Sequence, residues 1–139
     1  RSFGDYPSGP PLQLHLPPNL SCMSQEEVCA AFLQSEKDFM DRALTPLLTY
    51  HIPTLRKHAT RDGDFAILAN NITAIFECSN DLFTCLEQAR DIGASDNSHS
   101  DTFLVEQIGL TLHTFNPRLK MVYSMFINHF QEKFKCFPR

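Results

Sequence analysis

One acidic residue stands among large apolar side chains in the first helical stretch of the sequence. Residues three and four apart share a helix face, so Glu36 lies between Phe32 and Leu33 on one side and Phe39 and Met40 on the other. Burying a carboxylate is costly unless it is paired, and no partner stands close in sequence. We therefore expect this ring to be a docking surface where Glu36 accepts hydrogen bonds from another molecule. The other interpretation is an exposed carboxylate on a buried stem.

No other set of residues predicts covalent chemistry. The six histidines are scattered, without metal-ligand spacing or a cluster with cysteine. The five glycines stand alone, so no phosphate-binding loop is present. We expect no enzymatic activity of its own, no cofactor and no metal site. The chain is expected to act by binding.

Composition limits the classes of protein and of partner. A chain of 139 residues that is 42% apolar is long enough for one modest domain. Twelve Phe with no Trp make the aromatic content almost entirely apolar bulk, which favours helix packing. The net charge of -4 gives no basic footprint for nucleic acid or an anionic membrane.

The five cysteines predict reduced thiols and a cytoplasmic protein. Their number is odd, no C-x-x-C pair occurs, and Cys29, Cys78 and Cys85 fall among apolar residues of helical stretches. Two glycosylation sequons, at Asn19 and Asn71, favour the opposite interpretation, a secreted helical-bundle ligand.

The pattern along the chain predicts a Pro-rich disordered leader followed by helices. Residues 1–22 hold five prolines and two glycines, which excludes a helix. Ser24 and Glu27 match a capping box, and the apolar period then continues to about His51, with a bend near Met40–Leu44 caused by Pro46. Pro53 is expected to close or bend this helix.

Two further helical segments, the second interrupted, complete the predicted fold. One helix covers residues 65–92, capped by Asp62 or Asp64, and a polar loop follows at 93–100. The next begins near residue 103, and Asn116-Pro117 is expected to break it and start a fourth helix. No strand pattern is present. The predicted fold is all-α, an elongated antiparallel helical bundle of three to four helices.

Several segments, in order, resemble Dbl-homology domains, the helical domains that exchange nucleotide on Rho-family GTPases. Residues 32–39 resemble the first conserved region, an apolar pair followed by serine, glutamate, two polar residues and an aromatic, with Phe39 where the family usually has tyrosine. Residues 48–55 look like the end of that helix, 72–86 like the second region, and 108–130 like the Ile-Gly and Leu-x-x-Tyr stretch that follows.

This resemblance implies a function, a partner and a site. Residues 23–139 would form the N-terminal part of a Dbl-homology domain, without the third conserved region, and a longer parent protein would add a further helical or pleckstrin-homology segment. The implied function is guanine nucleotide exchange on a Rho-family small GTPase by stabilising its nucleotide-free state. Glu36, with Ser35 and Phe39, would bind the GTPase. The alternative that the residues leave open is a helical interaction or scaffold module without exchange activity.

Overall fold

The computed structural model describes residues 23–95 and 103–137, and their fold is an antiparallel helical bundle. The first helical stretch comprises α1 (Gln25–Phe39), two π-helical segments (Met40–Leu44 and Leu47–His51) and α2 (Ile52–Arg56). The long helices α3 (Asp62–Ser95) and α4 (Phe103–Lys133) follow, and a 3-10 turn (Phe134–Cys136) comes after α4. No strand occurs in these two ranges, so the all-α prediction is confirmed. The predicted leader at 1–22 lies outside the described residues.

The start of α1 is set by the predicted cap. The Ser24 hydroxyl accepts a hydrogen bond from the Glu27 backbone N–H at 3.2 Å, which satisfies one of the free donors of the first turn. Glu26 and Glu27 place negative charge in that turn, where the helix dipole favours it. The helix therefore begins where local sequence predicts.

Two π-helical segments flank Pro46, where the sequence predicts a bend near Met40–Leu44. Pro46 lies between the segments Met40–Leu44 and Leu47–His51. Proline has no N–H to donate, and its ring crowds the carbonyl one turn earlier. Turns of the wider π type are one way in which a helix absorbs such an interruption. Pro53 does not close the stretch, since Ile52–Arg56 is helical.

Three apolar clusters fix the order of the helices in space. Cys29 and Leu33 of α1 pack with Leu82 and Leu86 of α3 and with Ile108 of α4. Further along the chain, Met40 and Leu44 pack with Ile75, Cys78 and Val122. From the first cluster to the second, residue numbers rise in the first helical stretch and in α4, and they fall in α3. The first stretch and α4 run in the same direction, and α3 runs opposite to both.

The third cluster closes the end of the bundle where α3 begins. Phe65, Leu68 and Cys136 are its buried members. The carbonyl oxygen of Cys136 accepts hydrogen bonds from the Thr60 backbone N–H at 2.6 Å and the Thr60 hydroxyl at 2.8 Å. The turn after α4 is therefore tied to the connection between α2 and α3.

The predicted break at Asn116-Pro117 is wrong, because α4 continues through Pro117. Ile108, Phe115, Leu119 and Val122 keep one apolar stripe in register on both sides of the proline, and all four pack in the core clusters. Tertiary packing thus holds a helix that the local signal would end. The described residues therefore contain two long helices after the first stretch, α3 and α4.

Smaller differences concern the ends of α3. Asp62 is its first helical residue and Asp64 lies in its first turn, so neither is the predicted cap before the helix. The helix also includes Gly93–Ser95, which the composition places in a loop. The rest of that predicted loop lies outside the described residues. Within those residues, no helix is long and apolar enough to cross a membrane.

Candidate functional site

The ring around Glu36 is divided between core and groove. Leu33 is 2% exposed and Met40 6%, because both face the junction of α3 and α4. Phe32 and Phe39 are half-buried and pack against the same clusters. The expectation that the whole ring is an exposed docking surface is therefore wrong for Leu33 and Met40.

Glu36 itself is half-buried and unpaired. Within residues 23–95 and 103–137, no lysine, arginine or histidine forms an ion pair with its carboxylate. Burial raises the pKa of the Glu36 carboxyl group, since removal from water disfavours the charged form. Glu36 is thus a partly dehydrated acceptor that no cation among the described residues neutralises.

Tyr123 of α4 lies near enough to Glu36 for the two groups to interact electrostatically. Burial raises the pKa of the Tyr123 phenol, the negative charge of Glu36 raises it further, and a hydrogen bond with the Ser79 side chain lowers it. Ser79 on α3 is 3% exposed. The phenol is therefore protonated at neutral pH, and its hydrogen bond with Ser79 places it against α3 as well as near Glu36 of α1.

The three predicted site residues lie on one strip of α1. Ser35 and Phe39 are one turn apart, with Glu36 between them, and all three are half-buried. Phe39 packs against the cluster that contains Met40 and Val122, so only part of its ring is accessible. The GTPase-binding role of these residues stays a prediction.

A cavity of about 370 Å³ opens between α1 and α4 one turn before Glu36. Phe32, four residues before Glu36, is part of its wall. Seven of its eight lining residues are apolar or cysteine, and Gln25 is the polar one. The cavity is lined by Met23, Gln25, Val28, Cys29, Phe32, Val105, Ile108 and Leu112.

The α4 side of this gap carries an exposed apolar stripe. Val105 is 44% exposed, Tyr123 37% and Ile127 66%. Together with Leu112 they follow spacings of 7, 11 and 4 residues, which place all four on one face of α4. We call the gap between this stripe and the strip from Val28 to Phe39 the α1/α4 groove.

Sequence reasoning from single segments missed the α4 wall of the groove. The signal that could have found it is the second apolar stripe of α4, beside the core stripe through Ile108 and Val122. Leu110, Met121 and Met125 form a separate exposed set on another face.

Polar links between α3 and α4 lie elsewhere. Arg118 bonds Asp81 at 2.6 Å and Lys133 bonds Asp64 at 3.2 Å. These contacts are at least partly exposed, so each stabilises the bundle only modestly. Both ion pairs join α3 to α4. Neither Arg118 nor Lys133 forms an ion pair with Glu36.

His129 of α4 has a defined polar partner on α3. The Asn71 amide nitrogen lies 3.0 Å from His129 Nδ1, and Asn71 is 5% exposed. The Asn71 sequon therefore lies on a buried side chain within α3.

The described cysteines are free thiols. Cys29, Cys78 and Cys136 are buried, and burial raises the pKa of each. Such thiols stay protonated and pack as small apolar groups. No group of three or more potential metal ligands occurs in the described part of the chain.

The raised pKa of Glu36 predicts a pH-dependent difference in stability. The Glu36 carboxyl group binds its proton more tightly in the folded state than in the unfolded state. The stability that this proton contributes is fully present below the pKa of the unfolded state, and it is lost as pH rises through the pKa of the folded state. Glu36→Gln is therefore expected to raise the free energy of unfolding at neutral pH by a few tenths to about 1 kcal/mol, since water screens the exposed part of the group. Urea unfolding at pH 7 and pH 3 measures this, and the gain should vanish at pH 3.

The exposed Glu77 of α3 provides the matched control. Glu77→Gln is expected to change the unfolding free energy by less than about 0.5 kcal/mol at either pH. A Glu36→Gln variant that is less stable than the parent chain at pH 7 would contradict the assigned environment.

Comparison with protein-family models, with curated proteins and with solved structures finds no match for this chain. The candidate site therefore depends on the chain's own geometry, and the Dbl-homology resemblance remains a hypothesis.

Proposed function

We propose that this chain is a protein-binding helical domain that uses the α1/α4 groove, and that its partner is a Rho-family small GTPase. By stabilising the nucleotide-free form of the GTPase, the domain would promote guanine nucleotide exchange in signalling. Catalysis of this kind needs only a difference in affinity between two states of the partner. The GTPase as partner rests on the resemblance of residues 32–39 and the segments that follow.

The observation that carries the binding proposal is the carboxylate of Glu36, which has no ion pair within residues 23–95 and 103–137, one turn from an open apolar cavity. Exposed apolar side chains on one face, rimmed by polar groups, are typical of interaction surfaces. A partly dehydrated carboxylate forms a stronger hydrogen bond with an incoming donor than a fully hydrated one does. The groove thus combines apolar area with one directional acceptor.

The experiment is a nucleotide-release assay with a panel of Rho-family GTPases, together with direct binding to the nucleotide-free forms. Glu36→Ala is expected to lower binding and release about tenfold, the effect of losing a hydrogen bond to a charged group. Helicity, measured by circular dichroism, should not change. Glu77→Ala, which removes an exposed acid outside the groove, should bind and release like the parent chain.

The outcomes separate the alternatives. Unchanged release in Glu36→Ala removes this residue from the site. Binding of a GTPase without accelerated release supports the interaction module without exchange activity. Absence of both binding and release across the panel overturns the GTPase as partner.

A further inference from the structure

We propose that the α1/α4 groove receives an amphipathic helix of the partner, which seats an apolar side chain in the cavity and a lysine or arginine against Glu36. This inference rests on the proposed binding function and deepens it, because it states the chemistry of the segment that the groove takes.

The first step is the distance between the cavity and Glu36. Phe32 lines the cavity, and Glu36 follows it by four residues on the same face of α1. Four residues of helix rise about 6 Å. A ligand helix that places two side chains at i and i+4 spans the same distance. An apolar side chain in the cavity therefore brings the side chain one turn later to Glu36.

The second step is charge complementarity. The carboxylate of Glu36 lies in an apolar setting and has no ion pair within the described residues. A cation from the partner would supply the missing charge and hydrogen bonds. Tyr123 of α4 is 37% exposed, lies near enough to Glu36 for the carboxylate charge to raise the pKa of its phenol, and brings no positive charge. The charge of Glu36 therefore favours a positively charged side chain at this point.

The third step is the shape of the site. The strip of α1 and the apolar stripe of α4 belong to two helices that run in the same direction. A helix that lies between them would bury Val28 and Val105, which are 37% and 44% exposed. Helical bundles commonly place a further helix in such a gap, with its apolar face inward. An amphipathic helix therefore fits the groove.

The test uses the 139-residue chain and two synthetic helical peptides of about 18 residues, long enough to hold a helix. Both carry leucines on one face and differ at one position, where one has arginine and the other glutamine, four residues after a central leucine. Calorimetry measures both affinities. The arginine peptide is expected to bind about tenfold more tightly, as for a hydrogen bond between charged groups.

Three variants assign the preference to the groove. Glu36→Gln should make the two affinities equal, and Val105→Asp should weaken both peptides at least tenfold. Met121→Asp, on the separate exposed face of α4, should bind both like the parent chain. Equal affinities in the parent chain, no binding of either peptide, or a preference that survives Glu36→Gln each overturn the inference.

The result is independent of the GTPase assay. A chain that prefers the arginine peptide but binds no Rho-family GTPase supports this inference and removes the GTPase as partner. A chain that binds a GTPase through Glu36 but does not distinguish the peptides keeps the proposed function and overturns the inference.

Discussion

Replacing Leu86 with alanine is expected to lower the free energy of unfolding by about 2–5 kcal/mol. Leu86 is 0% exposed and packs with Cys29, Leu33 and Ile108, so it joins all three long helical segments. Alanine removes apolar contacts and leaves a cavity that neighbours on three helices cannot fill by moving together. Urea unfolding followed by circular dichroism measures the change in midpoint and slope.

Leu110 provides the control because it belongs to α4 but is 59% exposed. Leu110→Ala should change the free energy of unfolding by no more than about 0.5 kcal/mol. A loss below about 1 kcal/mol for Leu86→Ala would contradict its position at the centre of the bundle.

Replacing Pro117 with alanine is expected to raise the free energy of unfolding by about 1–3 kcal/mol. Pro117 lies inside α4, where proline lacks a hydrogen-bond donor and crowds the preceding turn, at a cost of about 3 kcal/mol. Part of the gain is offset because alanine gives the unfolded chain more freedom. Thermal and urea unfolding both measure the difference.

This substitution distinguishes the continuous helix from the break that the local sequence predicts. At the first position of a separate helix, proline is favourable, and its removal would not stabilise the chain. Asn128→Ala, at an exposed position of α4, measures the effect of helix propensity alone, about 0.5 kcal/mol. A Pro117→Ala gain no larger than that of Asn128→Ala would contradict the continuous helix.

The site has opposite consequences for folding and for binding. Glu36 is expected to reduce the stability of the free chain at neutral pH, because part of its charge is removed from water without a partner. The same property makes it a strong acceptor once a partner supplies a donor. Binding residues that are unfavourable for stability are a common cost of function.

The local elements could be predicted from the sequence. Ser24 set the start of α1 through its own hydroxyl, and Pro46 lies between the two segments that depart from α-helical geometry. The apolar period located α3 and both halves of α4. These features depend on interactions between residues that are close in sequence. A short segment of sequence is therefore enough to predict them.

The site could be predicted only in part. The position of Glu36 among apolar residues was evident, but its neighbour Tyr123 and the cavity wall at Val105 belong to another helix. Which members of the ring are buried was also not evident. All four are large and apolar, and the buried pair, Leu33 and Met40, is distinguished by the direction it faces. That direction is set by where α3 and α4 pack.

The sequence by itself determined an all-α chain, the start of its first helix and the carboxylate at the centre of the proposed site. Only the tertiary structure decided that α4 continues through Pro117, that half of the apolar ring is core, and that Tyr123 of α4 lies near Glu36. The physical reason is that propensities and caps act over one or two turns. Burial and pairing depend on packing between helices that are far apart in the chain.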